Sequence, residues 1–258
     1  MTRPGIREYV LLLLLAGMWG SSFTFIKIGV HAYSPLVVAG GRLTFAALVL
    51  WGFAWVRKSE LPKGKKAWVS TFFIALIGNA IPFFLISYGE TQVDAGLAAI
   101  LMSTVPLTAV VLAHFFTADE KLTLGKVVGI ILGTIGVVVL VGPETLSGLG
   151  GEFLFRIGST AVILTFASLM LMPFTLILDQ PWTMTWDVEG ALSIMYLGVF
   201  PTGIAMFLIL QLVAAAGTSF LVFNNYLVPA VGVLISFLVL GEVPQPTAIL
   251  AMVIILAG

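Results

Sequence analysis

Apolar residues run along this chain in stretches about as long as a bilayer is thick, separated by short polar clusters. A hydrocarbon core about 30 Å thick is crossed by a helix of roughly 20 apolar residues. Stretches of that length occupy residues 9–30, 35–56, 67–88, 93–116, 124–142, 153–178, 189–213 and 218–240. A ninth, 247–258, would reach only about 18 Å as a helix, too short to cross alone, so the chain is expected to be cut short within it. The pattern predicts an all-α, polytopic transmembrane helical bundle with eight full spans, a stub and no sheet. The first stretch follows Arg3 and Arg7, as a signal peptide would, but no A-x-A site follows and the apolar run continues past Trp19 to Val30. It is read as a retained span.

Composition agrees. Hydrophobic residues make up 60% of the chain and charged residues 9%, where a soluble domain carries about 25% charged residues to cover a wet surface. The absence of cysteine removes disulfides, thiolate metal sites and cysteine nucleophiles. With a formal net charge of zero and no basic run among aromatics, nucleic acid is not an expected partner. The charges are nevertheless sorted. Arg3, Arg7, Arg57, Lys58, Lys63, Lys65, Lys66, Lys121 and Lys126 fall in loops that alternate spans place on one side. The opposite loops hold Glu90, Asp94, Glu144 and Glu152, with Lys27 and Arg156 as nearby cations. The positive-inside rule then predicts a cytoplasmic N-terminus.

The chain also repeats itself. Leu43-Thr44-Phe45-Ala46 recurs 121 positions later as Leu164-Thr165-Phe166-Ala167, and Val105-Pro106, Glu120 and Gly136 recur at Val228-Pro229, Glu242 and Gly258. Such internal duplication is common in secondary transporters. The second copy lacks a counterpart of the first span, so one helix reads as absent between residues 149 and 158. Counting crossings, a second copy without its first helix would lie parallel to the first copy rather than inverted. An extended crossing would leave backbone groups unsatisfied in lipid, so an anomaly is expected there.

These residues carry a resemblance. Trp19-Gly20-Ser21-Ser22-Phe23 with Lys27, then Ser34-Pro35 and Arg42, resembles the opening of EamA-type proteins of the drug/metabolite transporter superfamily. Ala95-Gly96-Leu97-Ala98-Ala99 leading to Pro106-Leu107 and Glu120-Lys121-Leu122 is similar to that family's fourth helix, and Gly217-Thr218, Leu227-Val228-Pro229 and Leu240-Gly241-Glu242 repeat the theme. The resemblance implies two inverted five-helix repeats, ten helices in all, that export small metabolites. The first repeat would be residues 1–143. The second, 144–258, would lack helix six and part of helix ten.

Polar residues inside the spans are the candidates for chemistry. Arg42 lies several residues inside the second stretch, where an arginine is expensive and usually faces the bundle interior or a watery cavity. Its fork suits a carboxylate, although a snorkelling arginine near the interface is the alternative. Asn224 and Asn225 lie mid-span, and only one can face a cavity squarely because helical neighbours point about 100° apart. Pro229 removes the bond to the carbonyl of Asn225, which favours Asn225, and Pro106 does the same to Met102. Interhelical bonding is the alternative for the asparagines. Trp19, Asn79, Ser103 and Gln211 complete the proposed lining of a midplane cavity, with Ser21, Ser22 and Thr104 nearby.

The glycines 125, 129 and 133 suit close helix packing. Glu120 and Glu242 each suit the N-terminus of the helix that follows. His31 and His114 are isolated and suit an interface better than proton transfer. No H-E-x-x-H, G-x-S-x-G or phosphate-binding glycine loop occurs, so neither an enzyme, a metal nor a cofactor is expected. The leading reading is a secondary transporter of a small-molecule substrate in the inner membrane, driven by an ion or substrate gradient. A non-transporting structural or regulatory membrane protein on the same scaffold is the alternative, and an intramembrane enzyme is a third reading. Substrate and oligomeric state are not legible.

Overall fold

The computed structural model describes residues 4–59, 61–102, 157–221 and 223–257. These residues form helices and connections, with no strand among them. We number the helices α1 (Ile6–Ala32), α2 (Pro35–Val56), α3 (Lys65–Gly89), α4 (Ala95–Met102) and α5 (Ile157–Phe174, continued by a π-helical turn Thr175–Asp179). They continue as α6 (Val188–Ala216), α7 (Phe223–Leu240, after a short turn Thr218–Leu221) and α8 (Pro246–Ala257). Among the described residues, six helices are long and apolar enough to cross a membrane. The expected span 124–142, the rest of the span 93–116, Ser103, Thr104, Pro106, His114 and Glu120 lie outside the described residues. So do the glycines 125, 129 and 133 and most of the expected anomaly at 149–158.

Local chemistry sets the helix ends. Ser34 caps α2, its hydroxyl accepting from Val37 N at 3.2 Å, and Pro35 stands in the first turn, where its missing N–H costs nothing. Gly217 (φ +84°) and Gly241 (φ +70°) turn the chain out of α6 and α7 in the left-handed region that glycine adopts without strain.

The surface matches a lipid solvent. Leu13, Leu48, Trp55, Ile77, Ile177 and Leu238 are each at least 60% exposed, and an apolar belt on this scale belongs against hydrocarbon rather than water. The interior is packed instead with small and medium residues. Leu43, Ala46, Leu50, Leu164, Ala167 and Leu171 form the largest buried cluster, between α2 and α5.

We call upper the face where α1 ends and α2 begins. Ser34 at the top of α2 donates to Asp179 at the end of α5, Thr44 pairs with Ser168 at 2.6 Å, and Trp51 near the bottom donates to Thr165 at 2.9 Å. α5 therefore climbs while α2 descends. α6 begins at the upper face, where Tyr33 Oη both donates to the Asp187 carbonyl and accepts from its N–H, and ends below, where Arg7 donates to Gln211. α3 runs the other way. α7 climbs beside α1, with Tyr9 against Phe220 and Gly20 against Gly232, whereas α4 begins at the top.

The pairs α2/α5, α3/α6 and α4/α7 are those matched by the sequence repeat, and in each the two members run in opposite senses. Crossing arithmetic leads to parallel copies, but the described helices are inverted. A counterpart of α1 is not found among the described residues.

Candidate functional site

Both long helices α3 and α6 widen into π-helical turns, Leu76–Ala80 and Val199–Ile204. Such turns free backbone groups and often mark functional positions. Each holds a polar side chain that reaches back five residues. Asn79 Nδ2 donates to the carbonyl of Ile74 at 3.4 Å, and Thr202 Oγ1 donates to that of Leu197 at 2.8 Å. These pairs are related by the repeat, 123 positions apart. In α6 the cause is visible. Pro201 has no N–H to offer the Leu197 carbonyl, and the neighbouring hydroxyl takes over.

Arg42 is built onto the second turn. It is only 6% exposed, its Nε donates to Thr202 Oγ1 at 2.8 Å, and its guanidinium carbon lies 4.3 Å from the centre of the Phe83 ring. Phe83 stands one helical turn beyond Asn79, so α3 and the π turn of α6 both touch this arginine. Trp19 arrives from α1 and donates through Nε1 to the carbonyl of Pro201 at 3.0 Å. Ser21 pairs with Tyr196 Oη at 2.8 Å, and the Tyr196 ring stacks between Phe25 and Phe200. The result is a polar seam on α6, faced by aromatic rings and one buried cation.

Trp19 and Arg42 are thus brought to adjacent residues of α6, while Asn79 bonds within α3 to Ile74. Gln211 lies nine residues beyond Thr202, roughly 13 Å along α6, and is engaged by Arg7 at 3.1 Å near the lower face. Of the asparagine pair, Asn224 is the fully buried member, with both amide atoms lacking a partner among the described residues, while Asn225 is half-buried. Asn224 sits eight residues below Gly232, about 12 Å lower than the level of Gly20. Ser103 lies outside the described residues.

Sequence reasoning passed over a further group. Glu90 reads as a loop acid, yet it is 1% exposed, and neither carboxylate oxygen has a hydrogen-bond partner among the described residues. Lys27 reaches it from α1, its Nζ donating to the carbonyls of Glu90 at 2.9 Å and Val93 at 2.8 Å. The available signal was Lys27 itself, a cation inside the first apolar stretch that demands a partner. Glu242 also departs from expectation. Rather than capping the following helix α8, its carboxylate accepts from Ala95 N at 3.3 Å and Gly96 N at 3.1 Å at the start of α4 and takes the Ser236 hydroxyl. A cleft of about 120 Å³ opens beside it, lined by Asp94, Leu97, Val233, Gln245 and Thr247 among others. The attraction of a carboxylate for a helix N-terminus holds. The helix is the one in the other repeat.

Comparison with known proteins fits this architecture. The EamA-like transporter family matches residues 6–142 and 151–258. The uncharacterized transporter YdfC of Bacillus subtilis is 27% identical over 95% of this chain and 87% of its own. Protein PagO of Salmonella typhimurium is 30% identical, covering 83% of this chain and 79% of its own. The uncharacterized inner membrane transporter YedA of Escherichia coli K12 is 29% identical, covering 87% and 80%. A crystal structure with 17% identity superposes over 97% of this chain and 94% of its own with a TM-score of 0.63, a likeness of fold. With its family matched across both repeats and its apolar helices built to cross a bilayer, this chain is a multi-pass membrane transporter belonging to the EamA-like transporter family.

Proposed function

We propose that the chain is a secondary active transporter that exports small metabolites, such as amino acids or drug-like amphiphiles, by alternating access, with Arg42 clamping an anionic group of the substrate. The observation that carries this reading is the buried Arg42 bonded to Thr202 in the π turn of α6. An arginine inside the hydrocarbon region costs several kcal/mol unless it faces protein or water. Here Nε is held by Thr202 and the ring of Phe83 supports the plane, so the terminal nitrogens are the ones available to a carboxylate in bidentate fashion. Trp19 and Asn79 give that site an apolar wall and an amide, a lining that suits amphiphilic solutes. Inverted repeats meeting at such a site supply the usual geometry for exposing it to either side in turn.

The name of YedA and the cations at 57–66 support placement in the inner membrane with the N-terminus in the cytoplasm. The upper face would then be the outer one.

The test is flux. Purified protein in lipid vesicles, loaded with a panel of radiolabelled amino acids, should release one or more of them faster than protein-free vesicles. Arg42→Ala should abolish that release while the protein still purifies as a folded species. Arg42→Lys should retain a minor fraction, because an ammonium is a point charge without the fork. Normal flux in Arg42→Ala would remove Arg42 from the site. Absence of flux for every probe in the unmodified protein would favour a structural or regulatory role on the same scaffold.

A further inference from the structure

Glu90 stands immediately after the membrane-spanning part of α3, and the site described above does not use it. Its carboxyl is buried, with two acceptor oxygens and, among the described residues, no donor directed at either. Among the described residues, the charged groups that act on it are Lys27 on α1, Arg42 on α2 and Glu242 beyond α7. Neither cation donates to its carboxyl oxygens. Lys27 Nζ is bonded to backbone carbonyls, one of them that of Glu90 itself, and Arg42 Nε is bonded to Thr202. An ionised carboxylate left without hydrogen bonds in such a place is heavily penalised, whereas a protonated one is a neutral group of modest cost.

We propose that Glu90 is the proton-carrying group of this transporter, holding one proton in the conformation described here and giving it up when its surroundings open to water. The reading rests on the transport function proposed above and names its coupling ion. In the closed state the proton stays on one carboxyl oxygen. On opening, that O–H bond breaks, the proton passes to water, and the carboxylate left behind has Lys27 and Arg42 within electrostatic reach. A proton on Glu90 and a substrate carboxylate at Arg42 both answer to the positive charge of Lys27 and Arg42. Proton and substrate anion are thereby linked through one pair of cations. In support, burial pushes the Glu90 carboxyl well above the usual carboxylate range, against the pull of Lys27 and then Arg42, with Glu242 adding to the rise. The protonated form therefore persists below the raised value and is lost as pH climbs through it.

Infrared difference spectroscopy of the purified chain in lipid nanodiscs, titrated with pH alone, tests proton binding without any substrate. The expected result is a protonated-carboxyl band at neutral pH that disappears only above the ordinary carboxylate range and is missing in Glu90→Gln. Should Glu90→Gln fail to fold, Glu90→Asp must keep the band at a shifted frequency. Identical spectra for the unmodified protein, Glu90→Gln and Glu90→Asp would overturn the proposal.

Coupling is read in the vesicles used for Arg42. A pH gradient should accelerate amino-acid flux in the unmodified protein. In Glu90→Gln that acceleration should be lost, while exchange of labelled for unlabelled amino acid persists. A gradient response unchanged in Glu90→Gln would also overturn the proposal. If the unmodified protein moves no amino acid although the band is present, the transport reading fails instead.

Discussion

Thr202 shows how much can depend on one hydroxyl. Its oxygen accepts from Arg42 Nε and donates to the Leu197 carbonyl, and it is 1% exposed. Thr202→Val keeps the shape and removes both bonds, leaving a buried charged donor and a buried carbonyl unpaired. Each costs about 1–3 kcal/mol, more for the charged one, so the purified variant should melt several degrees lower and lose amino-acid flux. Thr202→Ser should recover most of both. Equal melting temperatures for Val and native protein would show that the bond carries no weight. Arg42 and Trp19 were legible from the sequence because charge and indole nitrogen are conspicuous in an apolar run. Thr202 was not, since a threonine in a membrane helix is ordinary and its importance comes from Pro201 beside it and Arg42 across the bundle. The choice between Asn224 and Asn225 was likewise not decided by the proline nearby, because the rotation of α7 is set by its neighbours.

At the level of helices, the apolar runs located the elements closely. The stretch 35–56 is α2, 67–88 sits within Lys65–Gly89, and 9–30 within Ile6–Ala32. The π turns were invisible because hydropathy has no sensitivity to an extra residue in a turn. The seam between α2 and α6 was also hidden. It is made by glycines that permit backbones to touch. A Cβ on Gly198 would fall against Phe45 Cβ and lie 2.7 Å from the Arg42 carbonyl oxygen, and no rotamer change relieves a clash with backbone. Gly198→Ala should therefore force the helices apart and lower the stability of the purified protein by about 1–3 kcal/mol. A Cβ added at Gly52, on the same helix as Arg42, would meet nothing within 4 Å, so Gly52→Ala should be neutral or slightly stabilising. Thermal melts of the two variants side by side decide the matter, and a neutral Gly198→Ala would mean that the seam is loose.

For the whole molecule, the repeat was legible in the sequence, while its sense was not, because counting crossings depends on every segment and one stretch did not conform. The contacts from Ser34–Asp179 down to Trp51–Thr165 settle the direction of the described copies. Orientation in the bilayer can be tested directly, since the chain contains no cysteine of its own. A cysteine at Gln92, exposed at the upper face, should react with a membrane-impermeant maleimide added to intact cells, and one at Ser59 should react only after the membrane is opened. The reverse pattern would invert the assignment.

The two copies are related in backbone but not in content, and this has a thermodynamic consequence. The position 121 residues beyond Arg42 is Ile163, buried at 3% exposure. The contact of α2 with α6 rests on a cation and a hydroxyl, whereas the repeat-related position has an aliphatic side chain where the cation would be. Closing a watery cleft over apolar groups carries a large negative heat-capacity change and weakens on cooling, and closing one through hydrogen bonds does so far less. With the alternating access proposed above, the balance between the two access states should therefore tilt with temperature, the form closed through Arg42 gaining ground in the cold, and an Arrhenius plot of flux should bend rather than run straight.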